Sequence, residues 1–219
     1  MKRMRVAILI SGRGSNMAAL IEAAKDKNFP AEIVLVLSNR PDAAGLNFAS
    51  AAGIATAVVD HKIYGKDRAA FDGAMQAVLE QHRIELICLA GFMRLLTTPF
   101  VERWDGRMIN IHPALLPAFK GLDTHQRALD AGVKLHGATV HYVVPEMDGG
   151  AIIMQGAVKV RADDSATTLA ARVLAVEHKI YPQALKLVAE GRVQIVGGRC
   201  LIDGKPVPDA SQVTPADPA

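Results

Sequence analysis

A chain of 219 residues can form one large domain or two small ones around a substantial core. With 50% hydrophobic and 21% charged residues it reads as a globular protein, and a net charge of +3 is too small to build a nucleic-acid surface. The two cysteines, Cys88 and Cys200, lie outside any metal-ligand or disulfide spacing, so neither a metal centre nor a disulfide framework is expected. The basic start "MKRMRVAILIS" has an apolar run too short for a secretory signal, and no segment is long enough to span a bilayer. A reduced, cytoplasmic enzyme without membrane contact is the expectation.

Short β-rich runs alternate with amphipathic ones, the pattern of an α/β parallel sheet. "RVAILIS" is a first strand, apolar throughout, as a strand covered on both faces must be. "NMAALIEAAKDK" is a helix that Ser15 or Asn16 could cap. Strand "AEIVLVLSN", helix "AAGLNFASAAG" ending at Gly53, and short strand "ATAVVD" follow. In "KDRAAFDGAMQAVLEQH", Phe71, Met75, Val78 and Leu79 fall on one helical face. "IELICLAGF" and "MINIH" are buried strands, with Cys88 a core residue of the first.

After "LPAFKGLDTHQRALDAG" the character changes. "GATVHYVV" and "AIIMQGAVKV" are neighbouring strands without a crossover helix between them, which allows antiparallel pairing. Residues 163–191 form a long helical region, started by Asp163, Asp164 or Ser165, kinked or divided at Pro182 and closed by Gly191. From about Asp203 the chain, rich in proline and small polar residues, reads as a loosely ordered flexible tail over 203–219.

Three stretches can carry chemistry. "SGRGSN", residues 11–16, joins the first strand to its helix, where free N–H groups and glycines suit a phosphate. Met17 stands where a dinucleotide fingerprint needs its third glycine, and the second strand ends in "SNR" without a ribose-binding acid. A tight turn using glycine for geometry alone fits the loop about as well, and Ser15 and Asn16 tilt it towards an anion.

The second stretch is "RMINIHP". Residues i and i+2 of a strand share a face, so Asn110 and His112 point one way at the carboxyl end of their strand, where α/β sheets bind ligands. The amide can donate to a developing oxyanion, and the imidazole titrates near neutrality. Taken alone, an Asn organising the proline turn and a His bonded to backbone fit better. The third stretch is "EMDGG", where Asp148 makes a turn or supplies a carboxylate able to orient His112. His125, His141 on an alternating solvent face, and the pair Glu177–His178 on a helix surface read as structural, as do Arg68 and Arg94.

"LISGRGSN", "LAGFMRLL", "MINIHPALLPAFKGLDTH", "GATVHYVVPEMDGGAIIMQ" and "EHKIYP", in this order from about Arg5 to Gly191, resemble the glycinamide ribonucleotide (GAR) transformylases of the folate-dependent formyltransferase family. The resemblance implies a Rossmann-like, mostly parallel central sheet flanked by helices, as a single domain over 1–202 with a phosphate-binding half (about 1–105) and a folate and catalytic half (about 106–202). It implies Asn110, His112 and Asp148 as a catalytic trio, with Gly14, Ser15 and Asn16 on the phosphate of GAR and Glu177 near its ribose. The donor 10-formyltetrahydrofolate, a co-substrate needing no metal, would meet Arg68, Met93, Arg94, Leu95, Leu96, Asn110, Val144, Pro145, Glu146 and Met147. The partners implied are these two small molecules, for a monomer or weak homodimer.

Two departures stand out. Arg13 replaces a smaller polar residue, and "PAFKG" resembles formyltetrahydrofolate hydrolases. Those usually carry an N-terminal regulatory domain, and methionyl-tRNA formyltransferases an extra C-terminal one; the chain shows neither, which favours GAR. The expected reaction is direct attack of the GAR amine on the formyl carbon without a covalent intermediate. Hydrolysis of the donor, a non-catalytic nucleotide-binding protein and a pyridine-nucleotide oxidoreductase are the rivals.

Overall fold

In a computed structural model, residues 2–206 are described. The elements run β1 (Met4–Ile10), α1 (Ser15–Ala24), β2 (Ala31–Ser38), α2 (Gly45–Ala51), β3 (Ala55–Val58), α3 (His61–Tyr64), α4 (Arg68–Gln81) and β4 (Leu86–Leu89). They continue with α5 (Thr98–Arg103), β5 (Met108–His112), α6 (Thr124–Asp130), β6 (Leu135–Tyr142), β7 (Ile152–Lys159) and α7 (Ala166–Ala189), and end in β8 (Val193–Val196), β9 (Arg199–Ile202) and β10 (Lys205–Pro206). Seven strands form one sheet in the order β3-β2-β1-β4-β5-β6-β7, and the last three strands form a small antiparallel sheet. The large sheet is mostly parallel and flanked by helices, with β6–β7 antiparallel.

The described residues divide into two compact units: those up to Asn110 with Val143–Pro145, and Ile111–Tyr142 with those from Glu146. In the first, order reverses between β1 and β4, both parallel to each other, with β2 on the far side of β1. Strand β1 is apolar because it lies centrally: Val6 to Ile10 are fully buried. Phe71, Met75 and Leu79 of α4 pack with Leu9, Leu35, Ile87 and Trp104. The Trp104 indole N–H meets a partner in Gln76 at 2.8 Å.

In the second unit α7 lies on β6 and β7. A Cβ on Gly156 would fall 2.2 Å from Val176, and one on Gly137 would fall 2.0 Å from the Gly156 carbonyl oxygen, so both positions need glycine for close approach. Ser165 starts α7 in a capping box with Thr168. Pro182 was expected to kink or divide this region; it does not divide it, and α7 runs as one element through it. Ile180, Tyr181, Ala184 and Leu185 are fully buried on either side. Full burial of each large apolar side chain is worth roughly 1.5–3 kcal/mol, enough together to exceed the ~3 kcal/mol cost of an interior proline.

Two further expectations are corrected. The N-cap of α1 is Gly14, at φ 73, and neither Ser15 nor Asn16 caps it, because both already lie inside the helix. The tail was expected from Asp203, but Lys205 and Pro206 pair with β9, and Asp203 holds Arg192 at 2.7 Å. Residues 207–219 of that tail lie outside the described residues.

Candidate functional site

In the first unit the carboxyl ends of β1, β2 and β4 face a cavity of about 290 Å³ lined by Ser11, Gly12, Asn39, Arg40, Gly91 and Arg94, among others. Open α/β sheets bind ligands at such a switch point. Gly14 in the left-handed region turns the chain from β1 into α1. A Cβ there would fall 2.9 Å from the Met17 methyl and 3.3 Å from the Gly45 backbone. The first turn of α1 holds no acidic residue, and its leading N–H groups have no carbonyl a turn earlier. This end of α1 therefore suits an anion electrostatically. Ser15 is exposed and Asn16 buried.

A larger cleft, about 520 Å³, opens where β1 and β4 begin. Its charges are committed: Lys2 pairs with Glu85 at 3.0 Å, and Arg5 donates to the His82 carbonyl and to Glu32. It lies at the amino ends of the strands, the wrong end for ligand binding in this architecture.

Also in the first unit, Arg68 opens α4 and is exposed, behind the Asp67 cap. The segment "GFMRLL" leaves β4 without regular structure: Phe92 and Leu96 pack on the core, whereas Met93 and Leu95 are 62% and 64% exposed. Arg94 lines the cavity. Asn110, half-buried on β5, pairs in register with Leu89. Val144 is half-buried and Pro145 exposed.

In the second unit His112 and Asp148, distant in sequence, are brought together. His112 is 5% exposed; its Nδ1 lies 3.5 Å from Asp148 Oδ2, and its Nε2 lies 2.9 Å from the Phe119 carbonyl oxygen. A carbonyl only accepts, so Nε2 carries a proton. Asp148 Oδ2 also accepts the Gly121 N–H at 2.8 Å. Asp148 adopts φ 51, a left-handed backbone that Asp tolerates better than most residues.

The loop after His112 is tied down locally. Thr139, fully buried, donates to the Ala114 carbonyl and accepts the Leu116 N–H. Arg127 donates to the Lys120 and Leu122 carbonyls, with its guanidinium over the Phe119 ring. Lys120 pairs with Glu146 at 2.6 Å, and Met147 is exposed next to it.

Three sequence readings are corrected here. His141 was placed on a solvent face, but it is 2% exposed with its Nε2 3.7 Å from Asp148 Oδ1, because β6 is covered on both faces. Burial depresses its pKa, and its Nδ1–H donates to the Tyr142 carbonyl, which only accepts. Glu177 was read as half of a surface pair; it is 6% exposed, on the inner face of α7. His178 is half-buried, and burial lowers its pKa. His141 is the residue that sequence reasoning missed, and only the burial of β6 reveals it.

Behind the loop, His125 and His136 meet edge to face at 5.3 Å, with Phe119 at 5.8 Å from His136. Burial, and then the neighbouring His125, pushes His136 down to about 4. Burial pushes the Cys200 thiol up to about 11, leaving it an inert core residue. Among the described residues no cluster of three or more metal-ligating side chains occurs, and no helix is long and apolar enough to cross a membrane.

Against known proteins, the family described as Formyl transferase matches residues 4–185. The human trifunctional purine biosynthetic protein adenosine-3 is 52% identical over 194 residues, covering 89% of this chain and 19% of that protein. The chain thus spans about a fifth of the length of that relative. Phosphoribosylglycinamide formyltransferase of Haemophilus influenzae is 41% identical over 93% of this chain and 96% of its own. The crystal structure of the Coxiella burnetii phosphoribosylglycinamide formyltransferase, solved in complex with CHES, superposes with a TM-score of 0.90 at 42% identity, covering 98% of this chain and 100% of that one.

Proposed function

We infer the activity from a premise: this chain belongs to the formyl transferase family. The reaction is transfer of a formyl group from 10-formyltetrahydrofolate to the amine of GAR, a step of purine synthesis. The relatives named as GAR formyltransferases support this acceptor. The observation that carries the chemistry is the pairing of His112 with Asp148, two residues beyond Asn110 on the same strand.

The GAR amine attacks the formyl carbon, and a C–N bond forms as the carbonyl electrons move onto oxygen. Asn110 donates its amide N–H to that oxygen. The tetrahedral adduct collapses with cleavage of the bond to the folate nitrogen, which takes the proton that the amine loses. His112, held by Asp148, stabilises the adduct and relays the proton. To do so its Nε2–H must exchange the Phe119 carbonyl for substrate, a rearrangement of one hydrogen bond. Gly14, Ser15 and Asn16 hold the phosphate through the start of α1, and Glu177 meets the ribose hydroxyls. Arg68, Met93 to Leu96 and Val144 to Met147 receive the folate. Holding two substrates in line is a large part of such catalysis.

The test mixes the protein with 10-formyltetrahydrofolate, with and without GAR, and follows tetrahydrofolate and formyl-GAR. Release that requires GAR and yields formyl-GAR supports the transferase; formate released without GAR makes the chain a hydrolase instead.

A further inference from the structure

We propose that Ser11 and Asp72 are positioning residues of the formyl-donor pocket, holding the segment Met93–Leu96 at its two ends through the amides of Met93 and Thr97. The proposal rests on the reading above in which this segment receives the folate. Its backbone lies outside any helix or strand, and Met93 and Leu95 are largely exposed, so apolar packing does not fix the two outward side chains. Hydrogen bonds must do so.

At the first end, Ser11 bonds once to the segment and once to Gly91, two residues before it. Its own N–H donates to the Gly91 carbonyl at 3.2 Å, and its hydroxyl oxygen accepts the Met93 N–H at 2.7 Å. The same hydroxyl donates to Asn39 Oδ1 at 2.6 Å, and Asn39, 2% exposed, is in turn held against His61 Nδ1. The hydroxyl thus uses both its donor and acceptor capacity, with its proton aimed at Asn39 and its lone pair left for Met93. An alanine there leaves a buried acceptor on Asn39 and an unheld N–H on Met93.

At the second end, Asp72 Oδ2 accepts both the N–H and the hydroxyl of Thr97, at 2.7 and 2.6 Å. Asp72 is 3% exposed, and its Oδ1 finds no partner among the described residues. A buried carboxylate with one oxygen unsatisfied is a poor choice for stability alone. Its position explains it: Asp72 lies one turn after Arg68 on the same face of α4. One helix thereby carries both Arg68 and the anchor of the Met93–Leu96 segment.

The experiment measures dissociation constants for 10-formyltetrahydrofolate and for GAR, steady-state KM and kcat, and amide exchange at Met93 and Thr97 by NMR. It compares the wild type with Ser11→Ala, Ser11→Thr and Thr97→Val. For Ser11→Ala we expect the donor Kd and KM to rise about tenfold, those for GAR to stay within about threefold, and Met93 exchange to quicken about tenfold. Ser11→Thr should restore the donor values, and Thr97→Val should weaken the donor by about threefold with faster exchange at Thr97 only. If Ser11→Ala fails to fold, Thr97→Val decides. Equal changes for both substrates, no change for the donor, or unaltered exchange overturn the proposal. Donor binding without GAR-dependent turnover in the wild type sinks the transferase reading but not this one, whereas absence of donor binding sinks both.

Discussion

Asp148 Oδ2 stands 3.5 Å from His112 Nδ1, and the backbone N–H of Gly121 donates to the same oxygen. The carboxylate is therefore fixed from the loop side as well as set beside the imidazole. Asp148→Asn keeps the shape and removes the charge. We expect kcat to fall roughly 10²–10⁴-fold with little change in either KM and an unchanged thermal midpoint. Steady-state kinetics at saturating substrates checks this, and near-wild-type kcat would remove Asp148 from the trio.

In the proposed mechanism Asn110 stabilises charge that exists only in the adduct. Asn110→Ala should lower kcat about 10²–10³-fold, which corresponds to roughly 2.7–4 kcal/mol, while GAR binding measured by calorimetry stays within about threefold. An equal loss in substrate affinity would mean that the amide binds the ground state instead.

Gly14 is placed by backbone geometry, at φ 73 directly before the first turn of α1. Gly14→Ala introduces a left-handed non-glycine residue costing roughly 1–2 kcal/mol, and its methyl presses on the end of Met17. The KM for GAR should rise about tenfold and the donor KM stay within about threefold, since the change distorts the turn proposed to hold the phosphate. A rise confined to the donor would contradict the phosphate assignment.

His136 is 1% exposed, and its pKa drops from the usual 6.5 to about 4. The folded state holds this ring neutral, while the unfolded chain binds its proton below about pH 6.5. The unfolded state binds more protons between pH 6.5 and 4, so stability falls on acidification through that window, by on the order of 3 kcal/mol in full. His125 and His141, lowered by burial, shift stability the same way. Denaturant midpoints from pH 7.5 to 4 check the slope. His136→Phe should flatten it, and an unchanged slope in that variant would clear His136 of the effect.

Much of this was legible in the sequence, for stated reasons. The two-residue period of a strand put Asn110 and His112 on one face, and "MINIH" is β5 to the residue. Ser165 was readable as one of three possible caps. His141 was not, because alternation cannot show that a strand is covered on both sides. The small C-terminal sheet carried signals that went unread: Gly197-Gly198 and Asp203-Gly204 all have positive φ, the two-residue turns of hairpins. Likewise Thr97-Thr98-Pro99 announced α5, with proline in its first turn. Glu177 looked superficial because a lone acid in an apolar stripe is usually solvated, and only the packing of α7 on the sheet buries it.

The left-handed backbone at Asp148 narrows what this position can become. A β-branched or bulky residue is strained there, and a longer acid would carry its carboxylate past both His112 and the Gly121 N–H. Aspartate is thus chosen twice, once by charge and once by conformation, and asparagine meets only the second demand. Under the proposed mechanism, a copy of this chain that drifted to asparagine would keep its fold and lose most of its turnover. At this position the proposed mechanism makes a single amide for a carboxylate the difference between turnover and binding alone.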